Sequence, residues 1–365
     1  MEQLRYLWQS LARGRQQPAH TRWRLQLLGL LGAALLCLAA ATLPADVATF
    51  VQPAGWPKPT YNFQRNPATP DGFRLGRRLF YDPALSRDSS TSCASCHSPA
   101  MAFTHGDHRL SHGIGGRIGT RNSPALMNLA WNRSFHWDGG VNNLEVQAVN
   151  PLTHPAEMDY RLDKLVARLN GDRAYRGRFA RAYKGDSVVT GQHLLQALAQ
   201  FTVTLQSFNS RYDKYLRQEP GGELSANELN GLRLFRQHCA SCHQEPLFTN
   251  NGFANNGLPP DSALNDLGRG RITGRPEDAY LFRVPTLRNV EFSGPYMHDG
   301  RFRSLRQAIQ HYSSGAIPAS STLAPQLRQP LTLSTPEQRD LLLFLFTLTD
   351  QEFLHNPRWQ YQPGD

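Results

Sequence analysis

Cysteine is scarce in this chain, with five among 365 residues, and four of the five are spent on two copies of one phrase. Cys-Ala-Ser-Cys-His runs from Cys93 to His97 and again from Cys239 to His243. So few thiols count against structural zinc, which takes tetrahedral sets of four ligands and leaves unexplained why a histidine follows each pair. A bare CxxC could also be a redox pair, but two complete matches are not chance. Strand signals are sparse, so the chain reads as mainly helical. A nucleic-acid footprint is missing despite a net charge of +10. Residues 1 to 24 hold Arg5, Arg13, Arg15, Arg22 and Arg24 against Glu2, which leaves +6 for the rest.

What is present is the spacing for covalent haem. Two thiols separated by two residues can add to the two vinyl groups of one porphyrin, and the next histidine is placed to bind its iron. Two such phrases imply two haem c groups, held by Cys93, Cys96 and His97 and by Cys239, Cys242 and His243. Their four propionates reduce the remaining surplus to about +2 at neutral pH.

Only one stretch, Leu25 to Leu43, is nearly continuous in Leu, Ala and Gly. It is just long enough to cross a bilayer. The arginines precede it and Asp46 follows, so residues 1–24 are expected in the cytoplasm and the remainder outside. Residues 25–45 then form an uncleaved anchor, the reading favoured by the long basic lead, or a cleaved signal with Ala39-Ala40-Ala41 as its small-residue site. Cys37 follows the bulky Leu36, which disfavours a lipoprotein site and leaves a buried apolar thiol. In either case the haem domains sit outside the cytoplasmic membrane.

Residues 46–68 carry Pro53, Pro57, Pro59 and Pro67 and read as an extended tether. A helix is expected from about Asp71 to Tyr81, with Leu75, Leu79 and Phe80 on one stripe. The second motif has the same preface: Ser225 and Glu228 are spaced as a capping box before Leu229, Leu232, Leu234 and Phe235. Leu75-Gly76-Arg77-Arg78-Leu79-Phe80 parallels Asn230-Gly231-Leu232-Arg233-Leu234-Phe235, and Phe103-Thr104 parallels Phe248-Thr249. The chain therefore contains an internal duplication of helix, haem motif and loop. Further helices are expected over Tyr160 to Ala182, Thr190 to Phe208 and Pro336 to Thr349, the last behind Ser334 or Thr335 with a Leu341, Leu342, Leu345 and Leu348 face. Long loops fall at Gly113 to Gly119, Asn250 to Gly257 and Pro318 to Pro330. The expected fold is two cytochrome c-like domains, residues 69–218 and 219–365.

From Leu79 onward the chain resembles the bacterial di-haem cytochrome c peroxidase and MauG family. The resemblance rests on Leu79-Phe-Tyr-Asp-Pro-Ala-Leu-Ser86, both haem motifs, Gly119-Thr-Arg-Asn-Ser-Pro124, Trp137-Asp-Gly139, Gln147 and Glu157. It continues with Pro285-Thr-Leu-Arg-Asn289 and Pro295-Tyr-Met-His-Asp-Gly300, and covers about residues 70 to 350. It implies a peroxidatic first haem with Glu157 as distal acid–base group, Gln147 as its neighbour, and Trp137 between the haems. It implies calcium at Asn122 and the carbonyls of Ser293 and Pro295. It places the sixth ligand of the second haem at Tyr312, as in MauG, where other members carry Met; Met297 is the rival within this chain. A phenolate favours ferric over ferrous iron and a thioether the reverse. His298 becomes a buried neighbour of that site. At the first haem, His112 is the candidate sixth ligand, with His105 and His108 nearby and a solvated loop histidine as the alternative for each.

The implied function is reaction with hydrogen peroxide, drawing electrons from a small cytochrome c or cupredoxin or from a protein residue. The alternative is a di-haem electron relay. A homodimer is a possible assembly.

Overall fold

The computed structural model describes residues 47–313, 320–329 and 331–365; the basic lead and the apolar 25–45 segment lie outside the described residues. Among the described residues no helix is long and apolar enough to cross a membrane. The only sheet among them is a two-residue antiparallel pair, β1 (Phe253–Ala254) with β2 (Phe282–Arg283).

The duplication seen in the sequence becomes two helix crossings. Helix α1 (Pro70–Tyr81) starts with proline in its first turn, behind Thr69, whose hydroxyl accepts from Gly72 N. It feeds the one-turn α2 (Cys93–Cys96). The partner of α1 is α7 (Gly191–Thr202), and a Cβ at Gly76 would stand 2.0 Å from Ala197 O. In the second half α9 (Ala226–His238) opens with the Ser225–Glu228 capping box and crosses α12 (Thr335–Phe346). There a Cβ at Gly231 would stand 2.0 Å from Asp340 O. The glycine shared by the two copies is thus the point of backbone contact in each pair.

Two cores surround these crossings. The first gathers Phe73, Leu79, Phe80, Phe103 and Phe201; the second gathers Tyr212, Phe235, Phe248, Phe344 and Leu345. Both lie in one compact unit, Asp46 to Asp365. Tyr212 already belongs to the second core, and Phe353, Leu354 and Trp359 return to the first. That return is locked by Arg77, 0% exposed, whose Nε and Nη2 donate to the Asp365 carboxylate at 2.6 and 2.7 Å.

Several expectations change. The helix expected over 160–182 is two, α5 (Leu162–Gly171) and α6 (Arg173–Ala182). Asp172 interrupts it because its carboxylate accepts from Ala174 N and Tyr175 N as an N-cap. Helix α7 ends at Thr202 rather than 208, since Leu205 O accepts from Asn128 N and Gln206 pairs with both backbone groups of Val51. Helix α12 ends at Phe346, where the Thr347 hydroxyl donates to Phe344 O. Residues 47–68 contain no helix and are packed rather than free over this span. Phe50 and Trp56 lie against Trp131 with ring centres 5.4 and 5.0 Å away, and Tyr61 and Phe63 cover the same cluster.

Candidate haem and catalytic site

The two histidines that follow the CxxC pairs are oriented alike. His97 Nδ1 lies 2.7 Å from Phe103 O, and His243 Nδ1 lies 3.1 Å from both Phe248 O and Pro285 O. A carbonyl only accepts, so Nδ1 carries the proton in each ring and Nε2 is left bare for a metal. Phe103 and Phe248 both adopt left-handed backbone, at φ of 57° and 54°, which turns each carbonyl onto its histidine. That is the meaning of the repeated Phe-Thr pair. Burial pushes His97 down to about 4 and lowers His243, so both rings are neutral at pH 7. Burial pushes the Cys93 and Cys239 thiols up to about 12. None of the four motif cysteines is in a disulfide, and an apolar setting suits neutral thioethers.

Around the second motif lies a mostly apolar cavity enclosing about 1860 Å³ between protein atoms, part of it open to solvent. Cys239, Cys242 and His243 face it together with Phe235, Ile309, Leu341 and Leu345. Bare imidazole nitrogen, paired thiols and apolar walls all fit a porphyrin. Helix α11 (Leu305–Ser313) brings Tyr312 to the same cavity, and the 295–300 turn brings Met297, at φ 76°, and His298. Tyr312 and Met297 share one neighbour that sequence reasoning missed: Asn256 Nδ2 lies 3.4 Å from Tyr312 Oη and 3.3 Å from Met297 Sδ. Asn256 stands in an Asn-rich loop that reads as ordinary solvent-facing chain, so no local signal marks it. Burial pushes the Tyr312 phenol up to about 12. His298 stacks on Phe282 at 3.6 Å, and burial pushes it down to about 4.

One short segment touches both motifs. Asn122 accepts through its carbonyl from Trp137 Nε1 at 2.8 Å, and its own N–H donates to His298 O at 2.8 Å. Asn122, Ser123, Trp137, Ser293 and Pro295 all line the second cavity. Ser123 also reaches Cys96, whose thiol donates to His112 O at 3.3 Å. The three residues expected at calcium all face that cavity. Asn122 Nδ2 donates to Arg109 O at 3.1 Å, which leaves the side-chain oxygen as the atom available to a cation.

Glu157 is half-buried beside the first motif, close enough to both Cys93 and Cys96 to act on their charge. Burial raises its pKa above the usual carboxylate range. The Gly-rich loop is wrapped on its backbone: Ile114 N donates to Glu157 O at 2.8 Å, and a Cβ at Gly113 would stand 2.5 Å from Glu157 Cα. Only glycine fits there, another feature without a local signal. Gln147 ends the short α3 (Leu144–Gln147) and is half-buried; no hydrogen bond joins it to Glu157 among the described residues. The His112 ring lies 4.1 Å from that of His108 and 5.5 Å from that of His105, in a cluster of its own.

Residues 70–221 match the family model described as di-haem cytochrome c peroxidase. The methylamine utilization protein MauG of Methylorubrum extorquens is 36% identical over 344 residues, 91% of this chain and 94% of that protein. The cytochrome c551 peroxidase of Nitrosomonas europaea is 34% identical over 252 residues, 67% of this chain and 73% of that protein. Among solved structures, a MauG-like protein associated with microbial copper homeostasis superposes with a TM-score of 0.79 at 32% identity, covering 87% of this chain and all of that one. Paired CxxCH phrases on two duplicated helical halves define a c-type di-haem protein. The chain belongs to the di-haem cytochrome c peroxidase and MauG family, and is an oxidoreductase of that kind.

Proposed function

We propose that the chain reacts with hydrogen peroxide at the first haem, with Glu157 as the group that moves the proton. Two c-type haems, when bound through the motif thiols and histidines, supply iron that takes up peroxide and exchanges electrons. Peroxide must lose a proton from one oxygen and gain one on the other before its bond breaks. A half-buried carboxyl beside the first motif, its pKa raised by burial, can both take up that proton and give it back. This observation carries the proposal. Gln147 is the distal neighbour that donates a hydrogen bond to bound peroxide, and the first iron's sixth position is read as open, the His112 ring lying against His108.

Trp137 provides the aromatic link between the halves, its indole fixed by Asn122 O. Tyr312 is the sixth ligand at the second haem, with Met297 its rival, and Ca²⁺ takes Asn122, Ser293 and Pro295. Electrons come from a small cytochrome c or cupredoxin, or from a protein residue in MauG fashion. A bare electron relay would have both irons saturated by protein and no use for a buried carboxyl beside the first. The haem domains stand outside the cytoplasmic membrane, tethered or exported by residues 25–45.

The test is Glu157→Gln, which keeps the shape and removes the proton transfer. Stopped-flow mixing with peroxide is expected to show a rate at least about a hundredfold lower, with both haems loaded. A rate within threefold of the unsubstituted enzyme would overturn the assignment.

A further inference from the structure

Outside the haem motifs, one group of side chains among the described residues is arranged as a ligand set. His105, Asp107 and His108 follow the first haem motif on the loop after Phe103, the residue whose carbonyl holds His97. Three donor atoms converge there. His105 Nε2 and His108 Nδ1 are 3.0 Å apart, His108 Nδ1 and Asp107 Oδ1 2.9 Å, and His105 Nε2 and Asp107 Oδ1 3.5 Å. An ion holding nitrogen and oxygen ligands tetrahedrally at about 2.0–2.1 Å spaces them about 3.3 Å apart. The triangle already has that size.

Proton counting points the same way. A single shared proton on His108 Nδ1 can serve two of the three contacts, and the third then sets His105 Nε2 and the Asp107 carboxylate facing each other as bare acceptors. A dication satisfies all three at once. His105 Nδ1 is buried without a protein partner, so every polar contact of that ring is made within the cluster. The ring is held inside, its side chain 12% exposed, while Asp107 at 79% opens the site to solvent and gives an ion its way in. His112 offers a further imidazole, its ring 4.1 Å from that of His108.

We propose that His105, Asp107 and His108, with the His112 imidazole beside them, bind one late first-row divalent cation of the Zn²⁺, Cu²⁺ or Ni²⁺ class. Two imidazoles and one carboxylate are the donors such borderline ions prefer, whereas Ca²⁺ takes oxygen alone. The site is therefore distinct from the oxygen-only position at Asn122.

Zinc is the probe. The holoprotein is used in a Cys37→Ser background, where the other four thiols are thioethers and cannot bind metal. After metal depletion and with Ca²⁺ in the buffer, Zn²⁺ is titrated calorimetrically, and retained metal is counted by mass spectrometry after gel filtration. One Zn²⁺ per chain is expected. His105→Ala with His108→Ala is expected to lose it, while His355→Ala, an exposed histidine elsewhere, keeps it. Should the double variant fail to load haem, Asp107→Asn replaces it and is expected to weaken binding at least about tenfold. No retained zinc in the parent protein, or equal affinity in the parent and Asp107→Asn, would overturn the site.

Discussion

Replacing Tyr312 by methionine is expected to raise the reduction potential of the second haem by on the order of 100 mV or more, axial ligands setting haem potentials over about 0.8 V. An anionic phenolate favours ferric iron, and a neutral thioether favours ferrous iron. Tyr312 lines the cavity with Cys239, Cys242 and His243, and burial pushes its phenol up to about 12, so the anion persists there only when iron holds it. At about 2.3 kcal/mol per 100 mV for one electron, the shift requires the phenolate to favour ferric over ferrous iron by at least about 2 kcal/mol. Asn256 gives a second, smaller lever. Its Nδ2 donates toward Tyr312 Oη at 3.4 Å and draws off charge that the oxygen would otherwise give to ferric iron, so Asn256→Leu should lower the potential by a few tens of millivolts, the equivalent of about 1 kcal/mol or less. Spectroelectrochemical titration of the holoprotein reads both shifts, and the near-infrared spectrum of the oxidised enzyme reads the ligand. The parent should lack a sulfur-to-iron band and Tyr312→Met should acquire one. The reasoning fails if Met297→Leu removes such a band while Tyr312→Phe leaves spectrum and potential unchanged.

Other outcomes follow from the same geometry. Because burial raises the Glu157 pKa, folded protein holds its proton to higher pH than unfolded chain does. Its contribution to stability is therefore greatest below the unfolded carboxylate pKa and is lost as pH rises through the folded one, so Glu157→Gln should raise the melting temperature at pH 7. Gly76→Ala and Gly231→Ala each drive a Cβ to 2.0 Å from a carbonyl oxygen of the crossing helix, and each should cost about 1–3 kcal/mol or more in denaturant titrations. An unchanged midpoint would mean the crossing is looser than described. Asp365→Asn deprives the fully buried Arg77 of its carboxylate and should cost about 3–5 kcal/mol, visible as a fall in melting temperature that Arg77→Met with Asp365→Leu largely restores.

Covalent attachment of two haems, the duplication that carries it, and most helix starts are written locally. Cysteine spacing acts over five residues, and an N-cap such as Thr69, Ser225 or Ser334 acts over one turn, so each is readable without knowing the fold. Asp172, which stops α5 where hydrophobic periodicity alone would have run on, is a local cap of the same kind. Where α7 ends was decided by distant partners, Asn128 meeting the Leu205 carbonyl and Val51 the Gln206 side chain. The return of Phe353, Leu354 and Trp359 to the first core was not legible either, because it depends on Arg77 meeting Asp365 across 288 positions. Catalytic candidates divide in the same way. Glu157 and Tyr312 were reached by the register of a family pattern, but Gly113, which admits the loop onto Glu157, and Asn256, which reaches both Tyr312 and Met297, are ordinary residues in sequence. A side chain acquires a role of that kind only when folding brings another group against it, and sequence spacing carries no record of contacts such as Asn256 with Met297 and Tyr312, made across 41 and 56 residues.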